Sequence, residues 1–239
     1  ANKLRGRTEA KQASDFPLRI GSEESFRLVH SFLQENGYSE AWLLERFELP
    51  SLHFLLYPRG QRAEELHRRY QGPGTTPLIA RLFMGGFAAT AQELDRRVPA
   101  RVQHALCDLG LLTPMPHDPS RFFCPALVYP ALGFFVASDR GVFLDDIPGY
   151  GGLDYVMSGA EHICREYVEA LPDTPCATFL EIGTGAGLGA LRASRTAGHV
   201  WASDITGRAA AYADFNRRLN LVSNMTVLQG DLFTPVADL

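Results

Sequence analysis

A glycine-rich turn between an apolar strand and a helix constrains the fold of this sequence more than any other feature. The segment ATFLEI (177–182) predicts a short strand, GTGAGLG (183–189) a tight turn, and ALRASRTA the opening of a helix. Gly183, Gly185 and Gly187 can adopt backbone conformations that side chains forbid, and they let a ligand approach main-chain N–H groups. The order predicts an α/β fold with a nucleotide-type site at the turn, which also includes Thr184.

Acidic residues stand at the ends of three consecutive predicted strands. Glu181 lies two residues before the first glycine, Asp204 ends the strand HVWASD, and Asp231 ends the strand MTVLQGD. A helix over 207–219 connects the last two strands. We expect Asp204 to accept hydrogen bonds from ribose hydroxyls and Asp231 to accept one from an adenine amino group. The apolar side chains that could sandwich the adenine ring are Ile205 and Leu232.

These carboxylates favour S-adenosylmethionine as the cofactor. Its methionine portion carries an amine and a sulfonium, whose positive charge Glu181 would compensate. NAD is the competing cofactor, because Gly185, Gly187 and Ala190 also satisfy the looser dinucleotide pattern and Asp204 would serve NAD equally well. A dinucleotide pyrophosphate would gain nothing from Glu181. A non-catalytic Rossmann domain is the remaining alternative.

From about residue 154 onward, the sequence resembles Rossmann-like, class I methyltransferases. The likeness is to release-factor glutamine methylases and to rRNA guanine methyltransferases with the methyltransferase small domain. It is carried by EIGTGAG, SDITGRAAAYADFNRRLNL and GDLFTPV. The resemblance implies N-methylation of a protein amide or a nucleic-acid base. The Asn-Pro-Pro-Tyr motif that holds the target nitrogen in this group does not occur before Leu239, so the catalytic residues stay unknown.

The resemblance also implies a seven-stranded sheet, of which the sequence shows three strands. Ending at Leu239 would leave ATFLEI as an uncovered apolar edge. We therefore expect that the native chain continues or that a partner segment completes the sheet.

The N-terminal half predicts helices followed by a hairpin. Ser22 is expected to cap a helix ended by Gly37, and further helices are expected over 39–47 and 61–70. After the breaker QGPGTTP, helices over 78–84, 90–97 and 100–109 precede strands over 121–128 and 133–137 that Pro130 separates. This order is that of a winged-helix unit. Its third helix carries few cations, chiefly Arg101, which favours a packing or dimerisation module over a DNA-binding one.

A winged-helix module ahead of a methyltransferase domain also resembles small-molecule O-methyltransferases, in which it dimerises and covers the substrate pocket. This is the second functional hypothesis, and it makes a homodimer through the N-terminal domain the expected assembly. The predicted organisation is a tail (1–15), a helical, winged-helix-like domain (16–138), a linker with a helix (139–175) and the cofactor domain (176–239).

The linker contains two further candidates. Ser158 and Glu161 have the spacing of a capping box, ahead of a helix that Pro172 ends. Asp145 and Asp146 form an acidic pair in a Gly- and Pro-rich loop that could hold a metal or a substrate amine, although a solvated loop is the favoured interpretation.

Composition sets the remaining limits. The formal charge of −4 argues against a long nucleic-acid grip. No apolar run reaches the roughly 18 residues of a membrane helix, so no membrane partner is expected and a cytoplasmic location is the default. The four cysteines are widely spaced, which suggests neither a metal site nor a disulfide framework.

Overall fold

A computed structural model describes residues 16–56, 61–141 and 149–237, and of residues 61–63 only the backbone. The N-terminal tail and the pair Asp145 and Asp146 lie outside the described residues. The helices are α1 (Glu23–Glu35), α2 (Glu40–Phe47), α3 (His53–Leu56), α4 (Gln61–Tyr70), α5 (Thr75–Phe83), α6 (Ala91–Arg97), α7 (Ala100–Asp108), α8 (His162–Ala170), α9 (Leu188–Ala193) and α10 (Gly207–Leu219). The strands are β1 (Ala89–Thr90), β2 (Thr113–Met115), β3 (Asp118–Phe123), β4 (Leu127–Ala131), β5 (Phe134–Ser138), β6 (Cys176–Ile182), β7 (Ala197–Asp204) and β8 (Met225–Gln229).

Local capping explains where the first helices begin. The Ser22 side chain accepts a hydrogen bond from Ser25 N at the start of α1, as predicted, and Ser39 caps α2 in the same way through Trp42 N. Thr90 and Glu93 form a complete capping box at the start of α6. None of the described helices is long and apolar enough to cross a membrane.

The hairpin that follows α7 is not the predicted one. After α5, β1, α6 and α7, the strands β2 and β3 form the hairpin, and the sheet has the order β1–β3–β2. The predicted strand over 121–128 was wrong, because it merges the end of β3 with the start of β4.

A second antiparallel hairpin, β4–β5, lies entirely in the core. Pro130 does not separate its strands but lies within β4, opposite Phe135. Proline is tolerated here because the described sheet has only two strands, so its missing N–H can face away from the partner. The turn lies at Leu132 and Gly133, both of which have positive φ (51° and 77°) as a two-residue hairpin turn requires.

Two asparagines of α10 join this hairpin to the C-terminal half. Asn216 Oδ1 accepts from Ala137 N at 2.7 Å while its Nδ2 donates to Ala137 O at 2.8 Å. Asn220 makes the same pair of bonds with Phe135, at 2.8 and 2.6 Å. The free edge of β5 is therefore satisfied by two amides one helical turn apart, as if by a third strand.

The C-terminal half is a βαβαβ unit with three parallel strands in the order β6–β7–β8. The strand order matches one half of a Rossmann-type sheet, in which the first strand of the unit (β6) lies at one edge, the second (β7) beside it and the third (β8) beyond. The predicted α/β class is thus confirmed. Its carboxyl ends align, with Ile182 beside Ser203 and Asp204 beside Gln229. Among the described residues β6 pairs only with β7, which makes it the expected exposed edge strand. The main hydrophobic core extends from Leu18 through the β4–β5 hairpin to Met225, and a smaller cluster contains Ala88 and Phe123.

The helix before β6 begins later than predicted. Ser158 and Glu161 do not form a capping box: Glu161 is the N-cap of α8 but its side chain makes no capping hydrogen bond and instead lies 3.0 Å from His53 Nδ1, and Ser158 Oγ accepts from Ala160 N at 3.1 Å. Tertiary contacts of residues 156–160 override the local capping pattern. The apolar residues of α8 differ in burial, since Val168 is buried whereas Ile163 and Tyr167 are exposed.

Candidate functional site

The glycine turn after β6 presents free space on one side. Gly183, Gly185 and Gly187 all have positive φ, at 75°, 56° and 82°. A Cβ on Gly183 or Gly185 would meet no atom within 4 Å, whereas one on Gly187 would lie 3.1 Å from the Cβ of Ala213. The first two glycines therefore border space that a ligand can occupy. Gly187 is required for a different reason, because it lets the start of α9 pack against α10.

The end of β7 fixes the conformation of the turn. The backbone N–H groups of Gly183 and Thr184 both donate to Ser203 O, at 2.8 and 2.9 Å. Gly185 N donates to Oδ2 of Asp204 at 3.0 Å. Strand pairing and a side chain thus hold the turn open before any ligand binds.

Asp204 is nearly buried and already carries three hydrogen bonds. Besides Gly185 N, it accepts from Thr206 N at 3.0 Å and from Thr206 Oγ1 at 3.2 Å, both at Oδ1. A carboxylate offers about four acceptor positions, so about one remains, on Oδ2. The residue predicted to bind ribose is therefore also a structural support of the turn.

Glu181 lies directly beneath the turn and is only 4% exposed. Its carboxylate accepts from Ala190 N in the first turn of α9 at 2.9 Å, from Thr184 Oγ1 at 2.5 Å and from Tyr167 OH at 3.0 Å. Burial raises the pKa of this carboxyl above its usual value against the opposing effect of the hydrogen bonds, and the nearby Asp204 carboxylate acts in the same direction as burial. The site therefore contains a buried carboxyl group that a neighbouring cation would stabilise in its ionised form.

The remaining predicted residues lie along the carboxyl edge of the sheet, beyond the turn. Ile205 and Leu232 follow β7 and β8 and are 64% and 61% exposed, and Asp231 beside Leu232 is exposed as well. The two strand ends are linked by Gly230 N, which donates to Asp204 O at 2.9 Å. Phe233, also exposed, adds an apolar side chain that sequence reasoning did not select.

A cavity of about 320 Å³ opens over the turn, which is within the usual range for a small-molecule site. One wall contains four of the predicted residues, namely Glu181, Gly183, Thr184 and Gly185. The opposite wall comes from residues that the sequence did not indicate as site residues: Met157, Gly159, Ile163, Cys164 and Tyr167. Ile163 and Tyr167 of α8 line the cavity, and Val168 of the same helix also belongs to the core.

The described residues contain no cluster of three His, Cys, Asp or Glu side chains that could hold a metal ion. All four cysteines are free thiols, of which Cys124 is buried and Cys176 exposed.

No protein-family model matches this chain, and no curated protein matches it. Among solved structures, the chain is similar to the YcgJ protein from Bacillus subtilis, with 24% identity over 28% of each chain and a TM-score of 0.25. It is similar to the tRNA m1G37 methyltransferase of M. jannaschii, with 14% identity over 45% of this chain and 30% of that one and a TM-score of 0.32. It is also similar to Trm5b from Pyrococcus abyssi, with 15% identity over 68% of this chain and 52% of that one and a TM-score of 0.30. The chain thus spans about half or less of each of these solved structures.

Proposed function

We propose that this protein is an S-adenosylmethionine-dependent methyltransferase. The observation that carries the proposal is the buried carboxyl of Glu181 beneath a glycine turn that opens onto a cavity. The methionine portion of S-adenosylmethionine bears an amine and a sulfonium, so it brings positive charge beside a buried carboxyl whose ionised form that charge would favour. The pyrophosphate of NAD is anionic and would be repelled there.

The residues present fit this cofactor. The space over Gly183 and Gly185 would be filled by a Cβ at either position, and it admits the methionine portion close to the backbone. In this proposal the free acceptor position on Asp204 Oδ2 takes a ribose hydroxyl. Ile205 and Leu232 enclose the adenine, whose amino group donates to Asp231.

When bound, the cofactor would supply a methyl group on a sulfonium: a nitrogen or oxygen of the acceptor would form a bond to the methyl carbon as the carbon–sulfur bond breaks, S-adenosylhomocysteine would leave, and the acceptor would give up its proton to solvent. The protein's own contribution is orientation and exclusion of water, and no covalent enzyme intermediate is needed. Glu181 contributes to binding of the cationic cofactor, and Ile163 and Tyr167 add apolar surface to the cavity wall.

For the acceptor we propose a nitrogen of a protein amide or a nucleic-acid base.

Residues 75–123 follow the element order of a winged-helix module, and α7 takes the position of its third helix. That helix packs against α1 through buried Val102, Ala105 and Leu106, while Asp108 accepts from Ser25 Oγ at 2.7 Å. This packing supports a structural role for the module, including the proposed homodimer, over a role in gripping DNA.

A small-molecule O- or N-methyltransferase is the second candidate, favoured by the apolar residues that line the cavity. Transfer of a radiolabelled methyl group to a glutamine-containing peptide, to an rRNA fragment or to small amines and phenols separates the two. Label in the peptide or the RNA supports the first candidate, and label only in small molecules supports the second. Cofactor binding with no transfer to any of them supports a non-catalytic protein.

The cofactor is tested by calorimetric titration of the chain with S-adenosylhomocysteine and with NAD. We expect saturable binding of S-adenosylhomocysteine and none of NAD. Binding of NAD alone would overturn the proposal.

A further inference from the structure

A short segment without regular secondary structure, residues 156–160, forms part of the cavity wall that faces the glycine turn; we call it the strap. Met157 and Gly159 of the strap line the cavity. Val156, Ser158, Gly159 and Ala160 are all buried, although the strap contributes to neither a helix nor a sheet. Buried backbone outside regular structure needs specific hydrogen-bond partners, so what holds the strap decides the shape of the cavity.

The first anchor of the strap is Asp139, directly after β5 and 1% exposed. Its Oδ2 accepts from Val156 N at 2.9 Å, and its own N–H donates to Val156 O at 3.2 Å. The Asp139 carboxylate is in turn held by two residues of α10: Arg208, with Nε at 2.8 Å and Nη2 at 2.5 Å, and Tyr212, whose hydroxyl donates at 2.9 Å. This anchor therefore connects the strap to the helix that follows Asp204.

The second anchor is Tyr129 in β4, which is completely buried. Its hydroxyl oxygen accepts from Gly159 N at 2.5 Å. Gly159 has no room for a side chain, because a Cβ would lie 2.6 Å from Leu188 Cδ2 and 3.1 Å from the Tyr129 hydroxyl. Leu188 is the first residue of α9, the helix that follows the glycine turn. Gly159 therefore packs between the β4–β5 hairpin and the start of α9.

Both anchors come from the β4–β5 hairpin region, not from the βαβαβ unit that provides the turn. We infer that Tyr129 is a positioning residue for the cofactor, holding the strap against the glycine turn so that Met157 and Gly159 close the cavity. This inference rests on the proposed function. Without the hydroxyl, the buried Gly159 N–H loses its acceptor, and a strap that swings out to water becomes more favourable.

The test compares Tyr129→Phe with a matched control, Tyr38→Phe. Tyr38 is also buried, and its hydroxyl also makes one backbone hydrogen bond, to Val128 O at 2.8 Å. Three quantities are measured on the full chain: the dissociation rate of S-adenosylhomocysteine, the exchange rate of the Gly159 amide hydrogen and the thermal unfolding midpoint.

Both variants should lower the midpoint, because Tyr38→Phe loses one buried hydrogen bond and Tyr129→Phe loses the bond with Gly159 N together with those between its hydroxyl and Ser158 and Ser138. Only Tyr129→Phe should accelerate ligand dissociation and Gly159 exchange, by roughly tenfold, given the usual worth of such a bond. Equal acceleration in Tyr38→Phe, or wild-type rates in Tyr129→Phe, would overturn the positioning role while leaving the proposed function intact. If the wild type itself binds no S-adenosylhomocysteine, the proposed function and this inference fall together.

Should Tyr129→Phe fail to fold, Tyr212→Phe tests the other anchor. It removes one hydrogen bond from the Asp139 carboxylate and leaves the ion pair with Arg208. Faster exchange at Val156 with faster ligand release is expected, and unchanged values for both would overturn the inference.

Discussion

Oδ2 of Asp204 accepts a hydrogen bond from the backbone N–H of Gly185 at 3.0 Å, which ties the end of β7 to the middle of the glycine turn. The two residues are 19 positions apart in sequence. The contact makes Asp204 part of the turn's architecture as well as the proposed ribose ligand. A substitution of Asp204 therefore changes both the support of the turn and the proposed ribose contact. The contribution of the ribose contact to ligand affinity has to be measured separately.

We expect Asp204→Ala to weaken the affinity for S-adenosylhomocysteine by roughly tenfold to a hundredfold, the usual worth of hydrogen bonds to a charged group. The ribose contribution is isolated with a 2′-deoxy analogue, measured by calorimetry. On the wild type, the analogue should bind more weakly than S-adenosylhomocysteine. On Asp204→Ala, the analogue and S-adenosylhomocysteine should bind with equal affinity. Asp214→Ala serves as the control and should keep wild-type affinity. It removes the ion pairs that Asp214 makes with Arg217 and Arg218 within α10. A deoxy penalty that persists in Asp204→Ala would remove Asp204 as the ribose ligand.

Asp139→Asn should lower the free energy of unfolding by about 3 to 5 kcal/mol, because it leaves the buried Arg208 guanidinium without its countercharge. The side chains of this pair are 1% and 5% exposed. In the partly exposed cluster of Asp214, the same substitution should cost no more than about 1 kcal/mol. Urea unfolding of both variants measures the difference. Similar losses in the two variants would show that burial of the Asp139 pair does not set its contribution.

The parts of the fold that could be predicted are those specified by neighbouring residues. The strand, turn and helix around 183–189 follow from apolar runs and glycine spacing, and the cap at Ser22 follows from one side chain next to an amphipathic stretch. The hairpin boundaries failed because Pro130 reads locally as a break, although an edge position in β4 accepts it.

The site's second wall could not be predicted, because it depends on contacts distant in sequence. Tyr129 meets Gly159 from 30 positions away, and Asp139 meets Arg208 from 69 positions away. Tyr129 and Asp139 belong to no local sequence motif, and a buried polar side chain in or beside a strand has no periodic pattern that would reveal it. The Tyr167–Glu181 bond was hidden for a related reason, since it joins a helix residue to a strand residue 14 positions away that shares no local motif with it.

Gly185→Ala should lower the free energy of unfolding by about 1 kcal/mol, because a side chain is unfavourable at a φ of 56°. Gly37→Ala is a matched control: Gly37 has a φ of 65° and, like Gly185, no atom within 4 Å of its Cβ position, but it ends α1. The two variants should lose similar stability by urea unfolding. Only Gly185→Ala should weaken S-adenosylhomocysteine binding, since its methyl group occupies the proposed ligand space. Equal affinities in the two variants would place the ligand elsewhere.

The pH dependence of binding should depend on Glu181. Burial, with the Asp204 carboxylate, raises the pKa of Glu181 above its ordinary unfolded value of about 4.3, and hydrogen bonds such as the one from Tyr167 only partly offset this. Ionisation is therefore disfavoured in the folded state. The Glu181 carboxyl therefore contributes most favourably to folding stability at pH values below its pKa in the unfolded chain. This contribution declines as the pH rises from there to the raised pKa of the folded protein.

A bound sulfonium reverses part of that effect, because it favours the ionised carboxylate. The affinity for S-adenosylmethionine relative to S-adenosylhomocysteine should therefore rise with pH through the same window, with proton release on binding. The ratio isolates the sulfonium, since both ligands carry the same amine and carboxylate. Calorimetry across this window should find the rise in the wild type and in Glu93→Gln, whose parent carboxyl has a lowered pKa, and should find it abolished in Glu181→Gln. A ratio that is constant with pH in the wild type, or still rises in Glu181→Gln, would show that Glu181 does not sense the charge of the cofactor.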